Sequence, residues 1–273
     1  MRLPYLLVLV ALPALAGSLF LMQHAHAGRG LLIQQVTVSG IAIVVCLLAC
    51  RAKLPAARMP WFIGGAFLAV LVPLLLPTEG PRRWINLGGF QFYSAALVLP
   101  ATLLLLSETM QRAKDKIPWP LITVIGIALV LALQPDASQV TAFALACALL
   151  FHRAPIALAL VGCITLAWKL PDPLKPVPYV EGVLEFAAGI SPVALIAALI
   201  AIVLPPTILL WQARAYKSMA LASVALYYVA IDVLAYFQRT PMPLLGYGAS
   251  PLLGYFAMVA LIPSCAARQK ETD

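Results

Sequence analysis

Residues 186–211 read FAAGISPVALIAALIAIVLPPTILLW and contain no aspartate, glutamate, lysine or arginine over 26 consecutive positions. A helix that crosses the hydrocarbon core of a bilayer needs about 20 mostly apolar residues. Apolar runs of this length are typical of transmembrane helices and rare in soluble proteins. The stretch therefore predicts a membrane-spanning helix.

The rest of the chain repeats this pattern. Of its 273 residues, 63% are hydrophobic and only 10% are charged, whereas roughly a quarter of the residues of a soluble domain are charged. Ten predominantly apolar segments lie at about 3–23, 31–50, 61–77, 92–107, 118–134, 137–151, 154–168, 186–211, 218–237 and 250–267. We expect an all-α, polytopic membrane helix bundle of about ten transmembrane helices, in which residues 1–273 form a single transmembrane domain.

The basic residues predict the orientation of this bundle. Counted over alternate connections of the ten-span arrangement, twelve lysines and arginines fall on one side and six on the other. Cytoplasmic loops carry the excess of these residues, so both termini are expected in the cytoplasm. The net charge of +8 is then a topology signal and does not indicate a nucleic-acid partner.

Two features of the sequence give weaker signals. Ala25-His26-Ala27 ends the first apolar run with a pattern that signal peptidase cleaves, so a cleaved leader is an alternative to a first transmembrane helix. The five cysteines lie in or beside apolar segments without a CxxC pair or a histidine cluster, which predicts buried side chains and no metal or cofactor.

The connection after the third span carries Arg82, Arg83 and Trp84 at a membrane boundary. Tryptophan and arginine commonly anchor a chain at headgroup level. Paired arginines are nevertheless unusual on the outer side, and guanidinium groups bind phosphate in a bidentate manner. Anchoring and binding of an anionic lipid headgroup are therefore both open interpretations.

Two further outer connections contain candidate site residues. Leu133-Gln134-Pro135-Asp136 joins two apolar segments through a short turn, and the carboxylate of Asp136 fits either a helix cap or a functional group near membrane depth. The stretch 242–250, MPLLGYGAS, precedes the last span and includes Tyr247 and Ser250. Its prolines and glycines favour irregular backbone, which is tolerated at membrane depth only if it is buried in protein or lines a cavity.

These three stretches together resemble the SEDS family of shape, elongation, division and sporulation proteins, the RodA and FtsW type. The family pattern after the third span runs roughly G-x-x-R-W-I-x-L-G-x-F-x-F-Q-P-S-E, and its matches here are Gly80, Arg83, Trp84, Ile85, Leu87, Gly88, Phe90, Phe92 and Ser94. The family's L-Q-P-D turn is reproduced in full. Its L-P-F-I-S-Y-G-G-S-S-L stretch is matched by Pro243, Tyr247, Gly248, Ser250 and Leu252.

The resemblance implies a function in peptidoglycan synthesis for cell shape or cell division, in a bacterial inner (plasma) membrane. Members of the family are glycosyltransferases that polymerise lipid II, or another polyprenyl-linked substrate, on the outer face, usually with a class B penicillin-binding protein as partner. A carboxylate would act as base and cations would stabilise the departing pyrophosphate. The expected substrate-binding residues are Arg82, Arg83, Trp84, Asp136, Tyr247 and Ser250.

The chain departs from the family where charge is expected. The glutamate and lysine of the family's P-S-E-L-A-K pattern correspond to Ala95 and Val98. The loop that holds the family's essential aspartate is shortened to about 169–185, and when Pro178 is matched to the family's L-P-E-x-H-T-D stretch, the aspartate position falls on Val183. These departures imply either a degenerate member or a catalytic carboxylate at another position.

The carboxylates that remain in the short loop are Asp172, Glu181 and Glu185. Glu181 and Glu185 are four residues apart and would share a face if the loop end is helical. They are the candidate catalytic residues, although acidic residues also favour solvated helix starts. Two other functions stay open: a transporter or flippase of lipid-linked or small anionic substrates, and a non-catalytic subunit of a membrane complex.

Overall fold

The computed structural model describes residues 3–52, 54–76, 82–87, 90–113, 119–151, 153–170 and 177–269. Within them the chain forms ten helices of 14 to 24 residues, one short helix and one small β-hairpin. The helices are α1 (Leu3–His24), α2 (Arg29–Ala49), α3 (Met59–Leu75), α4 (Ser94–Ala113), α5 (Trp119–Leu133), α6 (Ala137–Leu150), α7 (Ala154–Lys169), α8 (Val183–Ile190), α9 (Pro192–Ala215), α10 (Met219–Tyr236) and α11 (Ala249–Gln269). A 3₁₀ turn, Ala56–Arg58, precedes α3, and the hairpin consists of β1 (Trp84–Leu87) and β2 (Phe90–Tyr93).

The described helices confirm the prediction of a polytopic membrane bundle. Five of them are long and apolar enough to cross a membrane, and five more are apolar but shorter. Many large apolar side chains face outward, among them Trp61 at 80%, Leu158 at 73% and Val193 at 75% exposure. A water-soluble protein rarely exposes so much apolar surface, whereas lipid is a suitable solvent for it.

The segment 186–211 is interrupted, which corrects its prediction as one continuous helix. The helix is interrupted at Ser191. The Ser191 hydroxyl caps α9 by accepting a hydrogen bond from the backbone N–H of Ala194 at 3.1 Å. Pro192 follows at the first helical position, where its missing N–H and fixed φ are favourable. A Ser-Pro pair is a helix-start signal, and it separates the short α8 from the spanning α9.

The centre of the bundle depends on close helix contacts. Gly254 of α11 packs against the backbone of α4, where an added Cβ would collide with the carbonyl oxygen of Ala96. Small residues of this kind allow helices to approach closely within a membrane. The hydroxyl of Tyr255 donates to the carbonyl of Leu7 in α1 at 2.9 Å. These contacts fix α1, α4 and α11 against one another.

The connections meet in two groups at opposite ends of the bundle. At one end, the backbone N–H of Leu54 donates to Ser264 near the end of α11 at 3.0 Å. At the other end lie the last residue of α1 and the connections after α3, α5, α7 and α10, which are joined by contacts such as those of Arg83 with Asp136 and of Tyr247 with Tyr179. This division agrees with an alternation of ten crossings. Which end faces outward stays a prediction from the lysine and arginine count, and the second end is called the outer end here.

Candidate functional site

The connection between α3 and α4 contains an antiparallel hairpin, which the all-α prediction did not include. Trp84 pairs with Tyr93, and Asn86 pairs with Gln91. The two strands are separated in sequence by Gly88 and Gly89, and a Gly-Gly pair between short runs rich in aromatic and β-branched residues is a hairpin signal. The hairpin fixes the position of the Arg83–Trp84 pair beside the start of α4.

Arg83 and Asp136 come together at the outer end in a buried polar cluster. Arg83 is 3% exposed and Asp136 is fully buried, and Nη1 of Arg83 lies 4.0 Å from Oδ1 of Asp136. The two residues come from the first and second of the three motif stretches. Because Arg83 is buried, it cannot contact a ligand at the protein surface in this arrangement. It serves instead to hold the hairpin on the helix bundle.

Tyr93 connects the third motif stretch to the pair of Arg83 and Asp136. Its hydroxyl donates to Oδ2 of Asp136 at 2.6 Å, and its backbone N–H donates to the hydroxyl of Ser250 at 2.8 Å. Burial, followed by the charge of Asp136, raises the pKa of Tyr93 well above its ordinary value. The phenol is therefore protonated and acts as a donor. Arg83, Tyr93, Asp136 and Ser250 are called the polar cluster from here on.

Asp136 is both a helix cap and a buried charge. Its Oδ1 accepts from the backbone N–H of Gln139 at 3.3 Å and so begins α6. The side chain of Gln139 in turn accepts from the hydroxyl of Tyr227 in α10 at 2.6 Å. The preceding Gln134 donates to the carbonyl of Val70 in α3 at 2.5 Å. The two interpretations of Asp136 are therefore compatible, and the turn ties α3, α6 and α10 together.

Trp84 and Arg82 form the accessible side of the hairpin. The ring of Trp84 lies 5.6 Å from the ring of Tyr93, and the guanidinium carbon of Arg83 lies 5.2 Å from the Trp84 ring. Arg82 is exposed. Of the two paired arginines, Arg82 is thus the one that is accessible at the surface.

The two candidate catalytic carboxylates have different surroundings. Glu181 lies in the turn before α8, and its Oε2 accepts from the backbone N–H of Val177 at 2.9 Å. Glu185 lies in the first turn of α8 and is exposed. Because α8 begins at Val183, only Glu185 is helical, and the condition under which the two carboxylates would share one helix face is not met. Glu181 shapes its own loop, and Glu185 is accessible to a ligand.

Glu185 lines a surface cleft of about 490 Å³, called the outer cleft here. Its Oε2 accepts from Nε2 of Gln238, just beyond α10, at 2.6 Å. The lining residues are His24, Val177, Pro178, Gly182, Glu185, Phe186, Gly189, Ile190 and Gln238. Pockets of roughly 300–1,000 Å³ bind small molecules, so the outer cleft has the volume of a ligand site.

Tyr247 and its neighbours connect the third motif stretch to the loop that precedes α8. The backbone N–H of Tyr247 donates to the carbonyl of Tyr179 at 2.8 Å. Burial raises the pKa of the Tyr247 phenol, which is hydrogen-bonded to the side chain of Gln34. Gly246 has φ +98°, and an added Cβ would lie 2.7 Å from the carbonyl oxygen of Tyr179. The glycine is required both for its backbone conformation and for this close approach.

The structure thus divides the predicted site residues between two places. Arg83, Asp136 and Ser250 meet in the polar cluster beside Trp84, while Glu185 lies in the outer cleft, next to the turn that holds Glu181. No residue of the polar cluster lines the outer cleft. The segment that follows α10 connects the two, because the carbonyl of Arg239 accepts from Ser138 in α6 at 3.0 Å.

The family's charged positions are occupied by buried or packed apolar side chains. Val183 and Ala95 are fully buried, and Val98 packs against the core. A carboxylate at position 183 would be buried among apolar side chains at a high desolvation cost. Asp172, Gly80 and Gly88, which the sequence comparison also used, lie outside the described residues.

Sequence reasoning missed several residues of these sites. His24, Tyr93 and Gln238 were not singled out from the sequence. Tyr93 is the last residue of β2, and its place in this aromatic strand run is the sequence signal for it. Gln238 has φ +57°, a conformation at the end of a helix that usually selects glycine or asparagine, so the sequence did not reveal it.

Comparisons with known proteins show the fold of the chain. No protein-family model and no curated protein matches it. The crystal structure of the rod shape determining protein RodA from Thermus thermophilus is similar over 98% of this chain and 97% of RodA, with 19% sequence identity and a TM-score of 0.70. A mutant of that RodA with one aspartate replaced by alanine gives the same identity and coverage, with a TM-score of 0.71.

A third solved structure also has this fold. It describes the structural coordination of polymerization and crosslinking by a peptidoglycan synthase complex, and one of its chains is 18% identical, with 98% of both chains covered and a TM-score of 0.68. The present chain therefore has the fold of RodA over 98% of its length. Because one fold supports many functions, its own function must be argued from its sites.

Proposed function

We propose that this chain, which has the fold of RodA, is a compact SEDS-type protein of the bacterial inner membrane that binds lipid II at its outer end and polymerises it. The observation that carries the proposal is the polar cluster. Three sequence stretches that resemble SEDS motifs meet there through Arg83, Asp136 and Ser250, although they are far apart in the sequence. A chance resemblance would not predict that Arg83 lies beside Asp136 and that Tyr93 links Ser250 to the same carboxylate.

The proposed reaction is a glycosyl transfer. The 4-hydroxyl oxygen of the acceptor sugar attacks the anomeric carbon of the donor, and the bond from that carbon to the polyprenyl pyrophosphate breaks. The acceptor hydroxyl gives its proton to a carboxylate, and the pyrophosphate leaves with the bonding electrons. General-base catalysis of this kind contributes roughly 10²- to 10⁴-fold to a rate.

Glu185 is the better candidate for the base. It is exposed and lines the outer cleft, whereas Glu181 is engaged by the backbone N–H of Val177. Arg82 is the candidate for stabilising the leaving pyrophosphate, since it is exposed and lies two residues before Trp84 at the expected membrane boundary. Arg83 and Asp136 act as positioning residues, which hold the hairpin that carries Arg82.

The test is polymerisation of labelled lipid II by the purified protein, with and without a class B penicillin-binding protein. We expect glycan polymer from the wild-type chain. Glu185→Gln should lower the rate at least about 100-fold, since it removes the base, while Glu181→Gln should retain most activity because its amide oxygen can still accept from Val177. Equal losses in both variants would contradict the assignment of the base.

Binding of lipid II separates polymerisation from the alternatives. If lipid II binds but no polymer forms in the presence of the partner, the chain is a lipid II-binding protein without polymerase activity. In that case a flippase is tested by transfer of lipid II between the leaflets of vesicles that contain the protein. Absence of both binding and polymer would refute the proposed function.

A further inference from the structure

We infer that the outer cleft binds an uncharged saccharide ring and excludes the phosphate groups of the substrate. This inference deepens the proposed function and rests on it, because it divides the lipid-linked substrate between two places. The sugar would occupy the cleft beside Glu185, and the pyrophosphate would remain outside it, on the side of Arg82.

The charges of the cleft favour a neutral ligand over an anion. Among the described residues that line it, one carries a carboxylate and none is a lysine or an arginine. The nearest basic residue in sequence to Gln238 is Arg239, which lies over the ring of Trp168 at 5.7 Å. Phosphate sites require cations or several aligned donors, and the Glu185 carboxylate would repel a phosphate.

The hydrogen-bonding groups of the cleft match hydroxyl groups. Glu185 is an acceptor only, and the side-chain oxygen of Gln238 is a further acceptor beside the amide nitrogen that already donates to Glu185. Nδ1 of His24 lies 3.0 Å from the carbonyl oxygen of Phe20 and so is the donor, which leaves Nε2 as an acceptor whenever the ring is neutral. Sugar hydroxyls can donate to all three groups.

The walls of the cleft suit the apolar face of a sugar ring. Phe186 and Ile190 contribute apolar surface, while Gly189 leaves room for a ligand. A Cβ added to Gly189 would meet no atom within 4 Å. The cleft therefore combines a few polar groups with apolar walls, as small-molecule sites do.

The experiment measures binding of a soluble sugar, the disaccharide of N-acetylglucosamine, to the full chain in detergent by saturation-transfer NMR. Gly189→Leu should fill the cleft without disturbing the fold and weaken binding at least about tenfold. Gly162→Leu is the matched control, because Gly162 is also an exposed helix glycine with open space around its Cβ. It should bind as the wild type does. Gln238→Leu, which removes hydrogen-bonding groups, should weaken binding about fivefold.

Three results would overturn the inference. They are wild-type binding by Gly189→Leu, displacement of the sugar by an equal concentration of inorganic pyrophosphate, and binding of a quaternary ammonium compound in preference to the sugar. Failure of the proposed function is a separate outcome, since sugar binding requires neither catalysis nor a partner. Normal polymerisation by Gly189→Leu would refute the role of the cleft and leave the polymerase activity intact.

Discussion

Replacement of Asp136 tests the polar cluster that holds the outer end together. Asp136→Ala removes a helix cap, which contributes about 1 kcal/mol, and the hydrogen bond from Tyr93 at 2.6 Å, which contributes roughly 1.5–3 kcal/mol when one partner is charged. It also leaves the buried charge of Arg83 without the carboxylate at 4.0 Å, and breaking a buried ion pair costs about 3–5 kcal/mol. These contributions overlap, so we expect a total loss of about 4 kcal/mol in the free energy of unfolding.

Thermal unfolding in detergent, followed by a dye that reacts with cysteine thiols, measures this loss. Cys46, Cys147 and Cys163 are buried and become accessible when the bundle opens. At roughly 2–4 °C per kcal/mol, Asp136→Ala should lower the melting temperature by about 10 °C. Asp136→Asn, which keeps one acceptor oxygen for the cap but loses the one that accepts from Tyr93, should cause a smaller decrease.

Ser191→Ala provides the control, because the Ser191 hydroxyl caps α9 and makes no other side-chain hydrogen bond among the described residues. It should lower the free energy of unfolding by about 1 kcal/mol. If Asp136→Ala lowers the melting temperature no more than Ser191→Ala does, the ion pair and the Tyr93 hydrogen bond contribute nothing, and the assignment of Asp136 as the centre of the cluster is refuted.

Two further predictions concern backbone positions. Gly254→Ala should destabilise the bundle by about 3 kcal/mol or more, because its Cβ would collide with the backbone of α4. The control variant Gly162→Ala should be neutral or stabilising. Equal melting temperatures of the two variants would contradict the close helix contact. Gln238 and Lys217 both have positive φ at helix ends, +57° and +51°, so glycine at either position should stabilise by about 1 kcal/mol. Gln238→Gly should at the same time weaken sugar binding in the outer cleft, whereas Lys217→Gly should not. The same change in sugar binding in both variants would contradict the role of the Gln238 side chain.

The bundle could be predicted from the sequence because membrane helices depend on local composition. Each apolar segment must satisfy its own backbone hydrogen bonds in lipid, so segment length and charge alone identify it. The interruption at Ser191 was missed because hydropathy does not register a cap, although Ser191-Pro192 is a local start signal. The hairpin was missed for a related reason, because the apolar segment predicted at 92–107 included the last two residues of β2.

The contacts of the site could be predicted only in part. Resemblance to a family pointed to Arg83 and Asp136, but spacing in the sequence could not show that Arg83 would be buried and Arg82 exposed. That difference depends on how the hairpin packs on α4 and α11. The outer cleft was not predicted at all beyond Glu185, because His24 and Gln238 come from connections far apart in the sequence and meet only through the packing of α1, α8 and α10.

Native mass spectrometry of the purified protein with lipid II tests the central claim most directly. We predict one bound lipid II per chain, retained in competition with polyprenyl phosphate, which lacks the disaccharide, and lost in the double variant Arg82→Ala/Glu185→Gln. Equal binding of lipid II and polyprenyl phosphate, or binding that the double variant retains, would contradict the account.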